Sequence, residues 1–453
     1  MNFIFKGPVK FLALIGLCLP SSAMAEDSKP PRPNIIVILT DDLGYGDISA
    51  FGSQVIDTPN IDRLGKEGVT MTSWYAAQNV CTPSRAGLLT GRYAPRSGTQ
   101  FVTRPHSAWG MAPGEVTIAE MLKDAGYATG MIGKWHLGHR LKFWPTNQGF
   151  ESFLGVAYSN DMQPFDLYRG TVMVEKNIDQ SRLTDKYAAE AVRFIRANKD
   201  RPFFLYYSSS FPHYPAIPAQ RNIGRTQAGD YGDTVATIDD AVGQVLDTLE
   251  EEGIADNTLI LFTSDNGPWF QGSPGPLRAR KGETYEGGYR VPFLARWPVQ
   301  IPAGLVNKNM AMAIDLLPSF ARLAGGKVPS DRIIDGMDIS KMWTRGADSP
   351  HEALYFFDGN DLAAVRDGRF KLVLKSYYRS GVIPFRQFAG VKLFDLQLDE
   401  NESYDVGNRY PEERARLLEL AEKMEAATSS MATKPDPVFP SEGAALGPSL
   451  RAE

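Results

Sequence analysis

Asn34 to Thr40 reads Asn-Ile-Ile-Val-Ile-Leu-Thr, a short, β-branched and almost unbroken apolar run. A strand with one wet face alternates polar and apolar residues. A strand without alternation needs apolar cover on both faces, as inside a parallel sheet sandwiched by helices. Thr258 to Thr263, Thr-Leu-Ile-Leu-Phe-Thr, has the same character, and Val69 to Tyr75, Ala128 to Ile132 and Phe203 to Ser209 read as further strands. Pro59 to Gly68, Thr117 to Ala125, Asp185 to Asn198 and Thr234 to Glu252 read as the helices between them. Such regular alternation predicts an α/β fold with a large, mostly parallel central sheet flanked by helices.

Beyond about Trp343 the texture changes. Tyr355 to Phe357, Ala363 to Val365, Phe370 to Leu374 and Lys392 to Asp395 look like short strands joined by turns such as Asp367-Gly368, followed by a helix from Pro411 to about Ala427. That pattern predicts a small α+β domain with an antiparallel sheet. From Ser429 onward proline, glycine and serine predict a loose tail. At the other end, Lys6 and Lys10 precede an apolar run from Phe11 to Leu19 and then Ala23-Met24-Ala25, the small-x-small pattern of a secretory cleavage site. The run is far short of the roughly 20 residues that span a bilayer, so no stable membrane insertion is expected. The expected division is a signal peptide over 1–25, a large N-terminal domain over 26–345, a small domain over 346–428 and a tail over 429–453, with the mature chain exported to the periplasm or beyond.

Removing the leader takes away two lysines and no acids, which moves the formal charge from −5 to −7. A chain with that balance has no general affinity for polyanions, so nucleic acid is not an expected partner, and an anionic substrate needs a local cluster of cations.

In open α/β sheets ligands bind beyond the carboxyl ends of the strands. Four of the strands run into polar, chemically capable residues: Asp41-Asp42, Lys134-Trp135-His136, Phe211-Pro212-His213 and Ser264-Asp265-Asn266-Gly267. Asp41, Asp42, Asp265 and Asn266 offer hard oxygen ligands, which suit Ca²⁺ or Mg²⁺ rather than a soft metal. His136 and His213 are two of only five histidines, and their near-neutral pKa makes them the favoured proton-transfer groups. With Cys18 in the leader, Cys81 is the only thiol of the mature chain, so an intrachain disulfide is impossible. Pro83 suits a first helical position, where a missing N–H costs nothing, which places Cys81 at the positive end of a helix dipole, where an anion-directed nucleophile fits. A buried cysteine acting as a small hydrophobe is the plain alternative.

Cys81-Thr82-Pro83-Ser84-Arg85, continued by Leu89-Thr90-Gly91-Arg92, resembles the Cys-x-Pro-x-Arg signature of type I sulfatases. Gly133-Lys134-Trp135-His136-Leu137-Gly138 resembles a second segment of that family. Lys281-Gly282-Glu283-Thr284-Tyr285-Glu286-Gly287-Gly288 resembles a third, with Arg280 replacing its leading glycine. Tyr158-Ser159 and His213-Tyr214-Pro215 match further segments, so the resemblance spans about residues 33 to 400 and is strongest to the arylsulfatase A and N-acetylgalactosamine-6-sulfatase branch.

The resemblance implies an alkaline-phosphatase-like sandwich and a sulfuric ester hydrolase acting on a sulfated carbohydrate or an aryl sulfate. It further implies that a maturation enzyme oxidises Cys81 to formylglycine, whose hydrate attacks sulfur, forms a covalent sulfate hemiester and releases sulfate by elimination. One divalent cation, calcium before magnesium, would be held by Asp41, Asp42, Asp265, Asn266 and the oxygen of the modified Cys81. Arg85 would favour the attacking alkoxide, Lys134 and Lys281 would neutralise the sulfuryl oxygens, His213 would serve as general acid and His136 as base, and Ser159 would help hold His136.

Trp74, Gln100, Arg104, His106, Trp109, Asp161 and Gln163 fall in loops that could line the mouth of the pocket. Two rival readings stand beside the sulfatase: a phosphate or phosphonate monoester hydrolase on the same scaffold, and a non-enzymatic binder of sulfated glycans. Cleavage after Ala25 leaves Glu26 as the first residue, which N-terminal sequencing of the exported protein checks.

Overall fold

A computed structural model describes residues 1–4, 7, 32–376 and 390–431 of the chain. Most of the expected leader, and the expected tail beyond Met431, lie outside the described residues. Among those described, no helix is long and apolar enough to cross a membrane. From Arg32 onward the chain forms one compact unit.

The strands of the larger part, in chain order, are β1 (Asn34–Thr40), β2 (Val69–Met71), β3 (Trp74–Tyr75), β4 (Ala128–Lys134), β5 (Ser152–Val156) and β6 (Leu167–Arg169). They continue with β7 (Val172–Glu175), β8 (Phe203–Ser208), β9 (Thr258–Ser264), β10 (Phe293–Arg296), β11 (Leu305–Asn307) and β12 (Ala311–Met312). Ten of them build one sheet in the order β11-β2-β10-β9-β1-β8-β4-β5-β6-β7. Its centre, β9-β1-β8-β4-β5, is entirely parallel, while β10, β6 and β7 add antiparallel pairs at the flanks. The predicted strand from Val69 to Tyr75 divides: β2 joins the large sheet, and β3 turns away to pair with β12.

The unbroken apolar run of β1 has a direct cause. Ile35, Val37 and Leu39 point into one hydrophobic cluster, where Leu88, Ile118 and Leu316 supply the helical cover, and Ile36 and Ile38 point into another with Tyr187, Val235 and Leu246. Both faces are dry, so neither can carry polar residues. Gly133 is needed where β4 closes on β8. Its φ is +103° and a Cβ there would lie 1.8 Å from the Ser208 carbonyl oxygen, so the residue before Lys134 must be glycine.

The C-terminal strands β13 (Leu354–Asp358), β14 (Asp361–Arg366), β15 (Phe370–Val373) and β16 (Lys392–Asp395) form the expected antiparallel sheet, and the Pro411–Thr428 helix buries Leu417 and Ala421 against it. A fully buried ionic knot ties this sheet to the larger part. Lys371 Nζ lies 3.0 Å from Glu286 Oε1 and 3.0 Å from Glu402 Oε1. The Glu286 amide donates to Glu402 Oε2 at 2.7 Å, and Tyr75 donates to Glu286 Oε2 at 2.6 Å. Burial, opposed by Lys371, pushes the Glu402 carboxyl up to about 7.

Lys371→Met leaves buried Glu402 without the cation beside it and Glu286 with only the more distant Arg290 and Arg366, at 3.6 and 3.9 Å. Breaking a buried pair in this way costs about 3–5 kcal/mol, so denaturant melts should show a loss of that order. A change within about 0.5 kcal/mol, the range of an ordinary surface substitution, would contradict the knot's structural role.

Candidate active site

The carboxyl ends of β1, β4, β5, β8 and β9 meet on one edge of the sheet, as their parallel register requires. The Asp41 amide donates to the Phe211 carbonyl, and the Asp265 amide to that of Thr40, so the loops leaving neighbouring strands are stitched together. Asp42 (φ 62°) and His136 (φ 57°) both take the left-handed conformation that few non-glycine residues adopt. Each thereby leaves its strand abruptly at the sheet edge.

Three acids and three cations interlock there. Lys134 Nζ donates to Asp41 Oδ2 at 2.5 Å and to Ser159 Oγ at 3.0 Å. Arg85 Nε donates to Asp265 Oδ2 at 2.9 Å, and its Nη2 lies 3.4 Å from Asp41 Oδ1. The same guanidinium donates to the Lys134 carbonyl at 3.1 Å and to Ser208 Oγ at 2.5 Å. Lys281 Nζ donates to both Asp42 oxygens at 2.6 and 2.8 Å. Burial alone would raise the Asp41 carboxyl, but Lys134, His213, Arg85 and Lys281 together hold it well below the usual range. Burial raises Asp265 to about 6 against the pull of Arg85.

Cys81 opens the wholly buried Cys81–Thr90 helix, as its sequence suggests. Its Sγ lies 3.5 Å from Asp41 Oδ1 and 3.3 Å from Lys281 Nζ. The expected activation by the helix dipole is outweighed: burial pushes the thiol pKa far up, despite Lys134 and Lys281. A thiol held protonated is a poor nucleophile.

The two histidines are set differently. His136 Nε2 faces the Thr103 carbonyl at 2.9 Å, so that nitrogen carries the proton, and its buried Nδ1 has no partner among the described residues. Burial, reinforced by Lys134 and Arg85, lowers its pKa well below the usual value, which leaves a neutral ring with a bare lone pair. His213 Nδ1 faces two acceptors, Asn160 Oδ1 at 2.9 Å and the Tyr214 carbonyl at 2.7 Å, so it is the donor nitrogen. Its Nε2 lies 3.2 Å from Ser159 Oγ and 3.6 Å from Asp42 Oδ2. Burial lowers the His213 pKa and Asp42 opposes that shift.

Two expectations need correction. Ser159 contacts His213 and Lys134 rather than His136, because the left-handed turn at His136 directs its ring to the Thr103 loop instead. Of the seven loop residues, Trp74 is fully buried with its ring 4.2 Å from that of Phe293, and Gln100 is buried and bonds the Met431 carbonyl, so neither reaches the mouth. Arg104 and Asp161 do line the cleft, a cavity of about 320 Å³ shared with Asp42, Cys81, His136, Ser159, His213 and Lys281. Lys134 lies one layer deeper, fully buried behind Asp41 and Ser159. Asn160 was not singled out from the sequence. Its amide also bonds Gln180 Oε1 at 3.1 Å and the Pro215 carbonyl at 2.9 Å, which fixes the face it turns to His213.

The side-chain oxygens of Asp41, Asp42, Asp265 and Asn266 suit a hard cation. Single ligand atoms of Asp41, Cys81 and Asp265 lie within 4.8 Å of one another, as do those of Asp42, Cys81 and His213. Asn266 Oδ1 is buried with no hydrogen-bond partner among the described residues, an acceptor whose burial only a further donor or a cation offsets.

Comparison with known proteins agrees with this chemistry. Residues 33–326 match the family described as Sulfatase, and residues 280–430 match N-sulphoglucosamine sulphohydrolase, C-terminal. The chain is 36% identical over 431 residues to N-acetylgalactosamine-6-sulfatase of Rattus norvegicus, covering 84% of this chain and 82% of that protein. It is 38% identical over 377 residues to Arylsulfatase A of Homo sapiens, covering 75% and 74%. The crystal structure of PsFucS1 sulfatase from Pseudoalteromonas sp. superposes with a TM-score of 0.81 at 28% identity, covering 89% of this chain and 92% of that one.

Calorimetry on protein stripped of metal should show Ca²⁺ or Mg²⁺ binding that Asp265→Asn and Asn266→Ala both weaken. Stoichiometric Zn²⁺ bound in preference to either ion would contradict an oxygen-only ligand set.

Proposed function

The chain belongs to the sulfatase family and is a sulfuric ester hydrolase, and from that premise we propose that it removes sulfate from a sulfated saccharide by the formylglycine route. The observation that carries the proposal is the setting of Cys81: a protonated, buried thiol at the floor of a cleft, in contact with Asp41 and Lys281 and walled by both histidines. An unmodified thiol in that state is the wrong nucleophile. Oxidised to formylglycine by a maturation enzyme and hydrated by addition of one water, residue 81 would supply two hydroxyls on one carbon, one to attack sulfur as the ester oxygen leaves and the other to expel sulfate with carbon–oxygen cleavage, which restores the aldehyde. A hard divalent cation, Ca²⁺ before Mg²⁺, held by Asp41, Asp42, Asp265 and Asn266 with the oxygen of residue 81, would supply the charge that favours the ionised form of that oxygen.

The remaining roles belong to side chains whose geometry is described above. Lys281, on the cleft wall, neutralises the sulfuryl oxygens as charge shifts toward the leaving group, and Lys134 adds charge from behind. Arg85 acts through the acids, holding Asp265 and Asp41 in register. His213 is the general acid for the leaving oxygen: Asn160 fixes Nδ1 as the donor, and Asp42 beside Nε2 favours a second proton there. His136, neutral and with a bare Nδ1, takes the proton from residue 81 when sulfate leaves. Ser159 orients His213 and Lys134. Trp269 and Tyr214 on the cleft wall offer apolar faces to a sugar ring, and the names of the relatives point to the same substrate class. The leader pattern supports export to the periplasm or beyond.

Cys81→Ala should abolish hydrolysis of a sulfate ester, whereas activity within tenfold of wild type would sink the covalent route. Wild type should also turn over a sulfate ester faster than the matching phosphate ester, and the reverse order would favour the monoester-hydrolase reading. For the histidines, His213→Ala should slow esters of sugar alcohols by about 10²–10⁴, the usual contribution of a positioned acid, and activated aryl sulfates far less. Asn160→Ala should shift the same ratio in the same direction. Equal losses on good and poor leaving groups would remove His213 from the acid role.

A further inference from the structure

We propose that Arg104 anchors a second anionic group of the substrate, so that the preferred ester is a saccharide carrying a further sulfate or a carboxylate beside the sulfate removed. The proposal rests on the sulfate-ester reading above and extends it to the substrate's second charge.

Arg104 lines the same cleft as Cys81 and Lys281. The other three arginine or lysine side chains of the immediate site are paired with acids, Arg85 and Lys134 with Asp41 and Asp265 and Lys281 with Asp42. The Arg104 guanidinium has no hydrogen bond or ion pair among the described residues; only its backbone is engaged. Asp161 shares the cleft wall yet forms no ion pair with it. A guanidinium presents a rigid fork of donors that matches carboxylate and sulfate oxygens two at a time.

Its backbone is fixed to the chemistry. The neighbouring Thr103 accepts from His136 Nε2 through its carbonyl at 2.9 Å, donates its hydroxyl to the His136 carbonyl at 3.1 Å and donates its amide to Thr82 Oγ1 at 3.1 Å. Thr82 Oγ1 in turn donates to the His136 carbonyl at 2.8 Å, one residue from Cys81. On the other side, the Arg104 amide donates to Ser107 Oγ at 2.8 Å and its carbonyl accepts from the Ser107 amide at 2.9 Å. Arg104 therefore stands on a backbone whose position relative to residue 81 is already set, so an anion bound there loses little to ordering of the chain. In a molecule of net charge −5, such a cation at the cleft is a local feature rather than part of a basic surface.

The test uses the mature wild-type enzyme and Arg104→Ala with three sulfate esters of one sugar: the monosulfate, the same sugar with a second sulfate, and the monosulfate linked to a uronic acid. Wild type should show a kcat/KM about tenfold or more higher on at least one of the doubly anionic esters, and which one shows it identifies the anion as sulfate or carboxylate. Arg104→Ala should reduce that preference about tenfold or more, chiefly through KM, and Arg104→Lys should retain part of it. The preference should also shrink as salt is raised. A wild type that favours neither doubly anionic ester, or an Arg104→Ala variant that loses equally on all three, overturns the proposal. A wild type that hydrolyses none of a wide panel of sulfate esters instead overturns the sulfate-ester reading beneath it.

Discussion

Mutual neutralisation of six buried charges is the constraint around which the rest is arranged. Asp41, Asp42 and Asp265 face Arg85, Lys134 and Lys281 at the edge of the sheet, with Arg85 and Lys134 fully buried. A charge moved from water into a protein interior is costly unless it is paired and hydrogen-bonded. No one of these residues is therefore tolerable alone, and each dictates where its partners' strands must end. The parallel register of β9-β1-β8-β4 satisfies that demand, since it delivers the acids of β1 and β9 and the lysine of β4 to one level. The catalytic apparatus and the chain topology are thus two aspects of a single electrostatic requirement.

That requirement explains what was legible in the sequence. The strands whose ends carry the acids, β1 and β9, are buried on both faces and so read as unbroken apolar runs; their ends were recognisable because polar residues followed so abruptly. The helix from Cys81 announced itself through Pro83 and a breaker-free run. Less visible were β5, β6 and β7. Ser152 to Val156 contains Gly155, forced by the close approach of the Gly133 carbonyl, and β6 and β7 are only three and four residues long. Because β5 was not foreseen, neither was the residue it delivers just beyond its end, Asn160. Trp74 and Gln100 were misplaced for a related reason: aromatic and amide side chains in an expected loop carry no mark of whether the loop faces the solvent or the core, and β3 carries Trp74 inward.

The two histidines show how one environment sets opposite chemical tendencies. Both are buried and both have lowered pKa values. The balance of neighbours differs: at His136 the cations Lys134 and Arg85 come ahead of Asp41 and reinforce burial, whereas at His213 Asp42 comes first and counters it, with Lys281 and Lys134 acting against Asp42. Orientation then separates them further, since a carbonyl holds the proton on Nε2 of one ring and on Nδ1 of the other.

The knot of Lys371, Glu286 and Glu402 carries a consequence for the order of assembly. Glu286 lies five residues beyond Lys281, which contacts Cys81, and its carboxylate and amide are held by Lys371 and Glu402, which follow it by 85 and 116 positions. Synthesis proceeds from the N-terminus, so a chain that already possesses the sheet, both histidines and residue 81 still lacks the support for one of its cations. A chain that ends before Lys371 lacks both the cation and the carboxylate that brace Glu286.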